Sequence, residues 1–389
     1  MSPLATNKKT KKKIQWLPKK GEAGGIDPVF LILVFCLLGF GLVMVASAGY
    51  VSALHKYGDS YHYIKRQLFF AILGVAAMLF ITRFDYSVFR RFIPAYFGFS
   101  VLLLILVLIP GIGLEGGGAR RWLGVGGFTF QPSELAKLAI IMLFASYMAA
   151  NYKRMKEFKV GMLYPAAALF VVCFLVAIET HISGAILIFA VGAVMMFVGG
   201  VNLKYFFSIG GAGMAALAGF AWFVPYARTR IQTMMNPEAD PTGAGFQTMQ
   251  SLYAIGSGGL LGLGLGQSRQ KYLYIPEPQN DYIFSIVCEE LGFIGALMVI
   301  ILFVLLIWRG FVIAYHARDK FGSLMVIGIV SRVAIQTILN IGVVTNSIPP
   351  TGISLPFFSY GGTALVVLLV EMGIVLAVSR YSRLEGMRE

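Results

Sequence analysis

Residues 27–49 read DPVFLILVFCLLGFGLVMVASAG, with one charge, Asp27, at the edge. A helix of about 20 apolar residues spans the hydrocarbon core of a bilayer, and a run this long and this apolar is a membrane-spanning helix. Nine more stretches of the same kind follow, near 67–83, 93–110, 133–150, 161–179, 182–199, 206–226, 282–308, 323–345 and 357–379. Hydrophobic residues make up 58% of the 389 positions and charged ones 13%, against roughly 45–50% and 25% in soluble domains. The mean hydropathy is +0.77. A soluble fold could not bury that surface, and helix-length runs exclude an outer-membrane barrel with its ~10-residue alternating strands. The expectation is an all-α polytopic membrane protein with ten transmembrane helices. Residues 1–26 form a Lys-rich tail, 27–379 the membrane domain and 380–389 a second tail. A large extracytoplasmic loop, 227–281, separates helices 7 and 8, and helices 5 and 6 make a tight hairpin.

Charge sets the orientation. The first twenty residues hold Lys8, Lys9, Lys11, Lys12, Lys13, Lys19 and Lys20. They read as a cytoplasmic tail that sets topology and touches anionic lipid, rather than as a nucleic-acid-binding arm. With that tail inside, the cytoplasmic segments collect about two thirds of the 32 Lys and Arg, among them Arg83, Arg90, Arg91, Lys153, Arg154, Lys156, Lys159, Arg309 and Arg318. Both termini are therefore expected in the cytoplasm of a cell whose cytoplasmic membrane holds the chain. The first apolar run is too long for a signal-peptide h-region, so no cleaved leader is expected. Cys36, Cys173 and Cys288 all lie in apolar runs without a CxxC pair, and the four histidines show no HxH or HExxH spacing. Disulfide, redox and protein-built metal chemistry are not expected.

Polar residues at membrane depth cost about 2.5–3.5 kcal/mol each and need a reason. They cluster at the external end. One cluster holds Arg121, Trp122, Gln131, Pro132, Ser133, Glu134 and Lys137. Glu134 falls in the first turn of a helix, where the dipole favours an anion, and Lys137 lies three residues on along the same face. The pair reads either as a structural ion pair or as a charged wall of a substrate cleft. Trp122 is an interfacial belt residue or a cleft aromatic. A second cluster is Pro276-Glu277-Pro278-Gln279-Asn280-Asp281, followed by Glu289 and Glu290. Asp281 is a helix cap, or a general base whose pKa partial desolvation raises. At least one of Glu289 and Glu290 must face the interior.

In the large loop, Phe246, Met249, Leu252 and Tyr253 mark an amphipathic helix that lies on the membrane face or packs on the bundle. The glycines of 262–266 lack the GK[ST] ending of a P-loop. Arg228, Arg230, Arg269 and Lys271 are ligands for an anionic head group or ordinary solvated charge. Prolines and paired glycines over 349–362 imply a bent, re-entrant backbone. Glu179, Arg332 and Glu371 are isolated intramembrane charges that should face inward.

Four stretches in order, RRWLGVGGFTFQPSELAKLA, NPEADPTGAGFQTMQSLYAIGSGGLLGLGLG, YIPEPQNDYIFSIVCEELGFIG and IPPTGISLPFFSYGG, resemble the SEDS family of bacterial wall-synthesis proteins, which includes FtsW, RodA and SpoVE. GQSRQKYLYIPEP looks more like the FtsW and SpoVE branch than like RodA. The resemblance covers essentially the whole chain after the tail. It implies an inverting peptidoglycan glycosyltransferase that polymerises lipid II at the outer face of the cytoplasmic membrane during septal wall synthesis. It implies a class B penicillin-binding protein and other division proteins as partners, and no nucleic acid. The family's essential aspartate matches Asp281. Its QPSExxK stretch matches Gln131, Ser133, Glu134 and Lys137, its RW pair Arg121 and Trp122, and its loop arginine Arg230. Where many members have QPDLGT this chain reads Glu179-Thr180-His181-Ile182-Ser183-Gly184, so the role of that aspartate does not transfer to His181.

In such an enzyme the acceptor 4-hydroxyl attacks the donor C1 and isoprenyl diphosphate leaves. Asp281 takes the proton. Arg230, Lys137 or a divalent cation (magnesium or manganese) stabilises the diphosphate. The competing readings are a lipid II flippase, which would place its site near the midplane, and a non-catalytic division scaffold.

Overall fold

Asp27 and Pro28 start the first helix as their chemistry dictates. Pro28 presets the first turn, and the Asp27 carboxylate accepts a hydrogen bond from the Phe30 amide at 2.8 Å. The structure, a computed structural model, describes residues 24–382 apart from 117–118, 126–127, 209, 212–218, 220–224 and 241–242. Its helices are α1 (Pro28–Tyr57), α2 (His62–Ile81), α3 (Phe89–Leu108), α4 (Pro132–Ala150), α5 (Tyr164–Ile178), α6 (Ile182–Val198), α7 (Pro225–Met235), α8 (Ala244–Gly258), α9 (Ile283–Tyr315), α10 (Lys320–Val344) and α11 (Gly362–Ser379).

Eight spans among the described residues are long and apolar enough to cross a membrane: α1, α2, α4, α9, α10, α11, and α3 and α5 with the turns that precede them. α6 is apolar but shorter. The expected seventh span, 206–226, lies mostly outside the described residues. The expected tenth span starts later than 357, because residues 350–361 are non-helical and α11 begins at Gly362.

The all-α expectation needs a correction. Three strands, β1 (Gly113–Gly116), β2 (Ala119–Val125) and β3 (Phe128–Phe130), form an antiparallel sheet in the order β1-β2-β3. Ala119 and Leu123 are buried on one face of β2, and Leu123 packs with Leu103 and Val107 of α3. Glycine-rich breaks and two arginines hide this short strand in the sequence, and the α3 contact is what pins it.

α4, α10 and α11 form the centre of the bundle and are the most buried spans, whereas α2 is the least buried and lies at the edge. α2 packs along α11 through small residues. A side chain on Gly74 would run into Leu369, and one on Gly373 into the Met78 carbonyl. The end opposite the site is stapled by charge. Arg309 on α9 holds the Asp27 carboxylate at 2.6 Å, and Arg380 donates to the Thr82 carbonyl at 2.8 Å.

α9 is broken at Gly292, whose φ of 66° and ψ of −166° lie outside the helical region. The break frees backbone groups at membrane depth, and the loop after α8 takes them. Leu263 and Gly264 donate to the carbonyls of Glu289 and Glu290 at 2.9 Å each, and Phe293 donates to the Gly259 carbonyl at 2.9 Å. α8 itself buries Gly245, Thr248, Ser251, Ala254 and Gly258 against the bundle, while Tyr253 is exposed. The packed alternative therefore holds, with the small residues and not the large ones facing in.

A Cβ at Gly292 would sit 2.3 Å from the Gly262 nitrogen, whereas one at Gly39 meets nothing within 4 Å. Gly292→Ala is expected to cost at least about 2 kcal/mol and Gly39→Ala close to nothing. Thermal unfolding of the purified variants in detergent measures both.

Candidate active site

The first turns of α2, α4, α6 and α11, the start of α9 and the middle of α10 converge around a cavity of about 340 Å³. Of the residues expected there, Arg121, Trp122, Gln131, Glu134, Lys137 and Asp281 line it. Two do not. Ser133 is buried behind the wall with its hydroxyl unbonded, and Arg230 donates to the Pro350 carbonyl at 2.7 Å instead. Arg230 thus holds the backbone that forms the cavity rim.

The charged wall comes from helix geometry. Pro132 starts α4, and Gln131 precedes it without capping through its side chain. Glu134 and Lys137 then share a face and pair at 2.6 Å, both buried. The second oxygen of Glu134 accepts from Arg332 of α10 at 2.8 Å, and Arg332 also pairs with Glu371 of α11. Of the three intramembrane charges, Arg332 and Glu371 thus pair inside the bundle. Glu179 is buried too, but neither of its carboxylate oxygens has a hydrogen-bond partner.

Asp281 is half-buried, and its carboxylate makes no hydrogen bond among the described residues. The cap position of α9 is Tyr282, with no side-chain cap bond, so Asp281 is not spent on capping. Burial pushes its carboxyl up to about 6, against the opposing pull of Arg121. Its backbone is fixed by Asn340, which donates to the Asp281 carbonyl at 2.8 Å and to the Ile353 carbonyl at 2.6 Å. Gly352, at φ 63°, lies beside the carboxylate, where a Cβ would stand 3.1 Å from Oδ2. His181 also lines the cavity, and burial with the nearby Lys137 and Arg121 charges pushes its imidazole down to about 3, so the ring is neutral.

The re-entrant stretch is as the prolines and glycines imply. Its carbonyls are taken by side chains: Ser183 bonds Thr351, and Gln336 bonds Ser354 at 2.9 Å. Gln67 receives the Gly361 amide at 3.2 Å and donates to Ser359. Arg332, Gln336 and Asn340 recur every four residues on α10, a polar stripe in an apolar span. That spacing was the available signal for Gln336 and Asn340, which inspection of charges alone passes over.

Lys271 is not a head-group ligand. It is buried against Glu290 at 3.1 Å and the Gly266 carbonyl at 2.5 Å. Glu290 also accepts from Ser47 at 2.7 Å, and Glu289 accepts from Ser268 and from the Arg269 amide. Both glutamates are fully buried anchors for the loop. Arg269 is exposed. Among the described residues no group of three or more metal-ligand side chains exists. Among the described residues, Asp281 is the one cavity carboxylate outside an ion pair, and a Mg²⁺ or Mn²⁺ ion held through a single carboxylate takes its other ligands from water and substrate phosphates.

The molecule is a helical membrane bundle whose cavity is lined by a half-buried, unbonded carboxylate and by cations. The FtsW, RodA and SpoVE family model, described as cell cycle protein, matches residues 28–384, and the chain belongs to that family. It is 45% identical over 357 residues to stage V sporulation protein E of Bacillus subtilis, covering 92% of this chain and 98% of that one. It is 40% identical over 369 residues to a probable peptidoglycan glycosyltransferase FtsW of Trichlorobacter lovleyi, covering 94% and 96%. A chain from a structure described as "Structural coordination of polymerization and crosslinking by a peptidoglycan synthase complex" superposes with a TM-score of 0.77 at 28% identity, covering 91% of this chain and 98% of that one. The rod shape determining protein RodA of Thermus thermophilus gives 0.68 at 26% identity, covering 92% and 98%.

Lys271→Met would leave the Glu290 charge buried without its cation. It is expected to destabilise by about 3–5 kcal/mol, and Lys271→Met with Glu290→Gln to recover most of that. Unfolding midpoints of the single and double variants in detergent decide this.

Proposed function

We infer that this chain is a peptidoglycan glycosyltransferase that polymerises lipid II into β-1,4 glycan strands. The observation that carries the reading is that one cavity is lined both by an uncommitted carboxylate, Asp281, and by the cations Arg121 and Lys137. The donor linkage in lipid II is α and the product β, so attack is in line and inverting. The acceptor 4-hydroxyl attacks C1 of the donor sugar, the C1–O bond to the isoprenyl diphosphate breaks, and Asp281 takes the hydroxyl proton. Lys137, with Arg121, stabilises the charge that develops on the leaving diphosphate, at a site already oriented before substrate arrives. Arg230 supports the rim rather than the diphosphate, in keeping with its bond to Pro350. A divalent cation (magnesium or manganese), held by water and the diphosphate itself, would add to that charge stabilisation.

The membrane arrangement follows the same reading. The eight long spans, α6 and the stretch 206–226 make ten crossings, an even number that returns both termini to one side. The basic loops make that side the cytoplasm. The cavity then opens at the outer face, where lipid-linked substrate is held with its tails between helices. A class B penicillin-binding protein is the expected partner, since the synthase complex among the structural neighbours couples polymerization and crosslinking. The septum is the expected place of action, given relatives named FtsW and stage V sporulation protein E.

The base works only when ionised, and its carboxyl is raised to about 6. The rate of lipid II polymerisation should therefore rise about tenfold per pH unit up to about 6 and level off above it. Asp281→Asn should fold normally and lose at least ~100-fold in rate. Polymerisation by purified protein, with and without its penicillin-binding partner, tests both. Near-normal strand synthesis by the Asn variant would refute the assignment of the base.

A further inference from the structure

Four charged side chains on three helices form one buried chain. Glu371 of α11 meets Arg332 of α10, Arg332 meets Glu134 of α4, and Glu134 meets Lys137 one turn away. Lys137, Glu134 and Arg332 border the cavity, while Glu371 does not. The chemistry above uses only the last link.

We propose that Arg332, seated by Glu371, is a positioning residue that acts through Glu134 to keep the charge of Lys137 available to the leaving diphosphate. This deepens the glycosyltransferase reading and rests on it.

Two arguments carry it. The first is geometric. One terminal nitrogen of Arg332 goes to Glu371 and the other to Glu134. A planar guanidinium can hold two carboxylates at a fixed angle, which an ammonium cannot. Glu134 is thereby fixed at Oε2 and offers Lys137 only Oε1, at 2.6 Å. The second is electrostatic. With Arg332 present, the single negative charge of Glu134 is divided between two cations. Without it, Glu134 can close on Lys137 with both oxygens and cancel its charge. Glu371 balances the second cation, so the buried cluster is neutral before substrate arrives. Tyr96 is spent elsewhere: its hydroxyl donates to the Leu135 carbonyl at 3.2 Å. An interaction that meets charge developing in the transition state affects turnover more than substrate binding.

The test is a double-mutant cycle on the full-length protein with its penicillin-binding partner, using lipid II as substrate. Arg332→Lys keeps the charge and loses the fork. It should lower kcat by about tenfold or more, with KM within about twofold. In the Lys137→Met background, followed by long incubations, the same change should lower the rate by less than about twofold, because its target is gone. Equal losses in both backgrounds would overturn the proposal, as would a change confined to KM. If Arg332→Lys does not fold, Glu371→Gln replaces it, since the amide still accepts a bond from Arg332. It should lose about threefold in kcat, again only where Lys137 is present. An active wild type with an additive cycle defeats the positioning role alone. A wild type no more active than Asp281→Asn defeats the glycosyltransferase reading itself.

Discussion

Arg332 sits in the middle of an apolar helix at 2% exposure, and bilayer and protein interior alike make an unpaired charge there very costly. Its two carboxylate partners come from different helices, so α4, α10 and α11 can close only in the arrangement that brings Glu134 and Glu371 to it together. Gly328, one turn before Arg332, makes that approach possible. A Cβ there would stand 2.6 Å from Ile141 of α4 and 2.8 Å from Met195 of α6. The three most buried spans, α4, α10 and α11, are thus locked in register by charge as well as by packing. The cavity is the space left beside that lock.

The polar stripe of α10 extends the same logic toward the open end. Gln336 and Asn340 continue the line from Arg332 and take the carbonyls of Ser354, Ile353 and Asp281. Non-helical backbone at membrane depth survives only where protein groups replace water as hydrogen-bond partners. One helix face therefore supports the charged wall, the re-entrant segment and the backbone of the candidate base.

The position of Asp281 also depends on α9. The break at Gly292 gives the first turns of α9 a different course from the rest of the helix, and the loop after α8 fills the vacated hydrogen bonds. Lys271, Ser268 and Ser47 then hold Glu289 and Glu290 in place. The first turns of α9 are thus held at both ends, by Asn340 on the Asp281 carbonyl and by this anchor on Glu289 and Glu290.

Much of this was legible in the chain. Long apolar runs identify spanning helices because a bilayer demands about 20 such residues whatever they touch. Glu134 and Lys137 are paired by local helical spacing, and the re-entrant segment announces itself through prolines and glycines that no straight helix holds. The sheet over 113–130 escaped notice because short strands are specified by what they pack on. Lys271 and Arg230 looked like free loop cations because a sequence lists charges without their partners. The spans and the residue types at the site follow from the chain alone, since hydrophobic length and helical period are properties of neighbours along it. That Arg332 joins Glu371 to Glu134, that Lys271 belongs to Glu290 and that Asp281 stands unpaired emerges with the packed bundle, because those contacts bridge segments far apart in the chain.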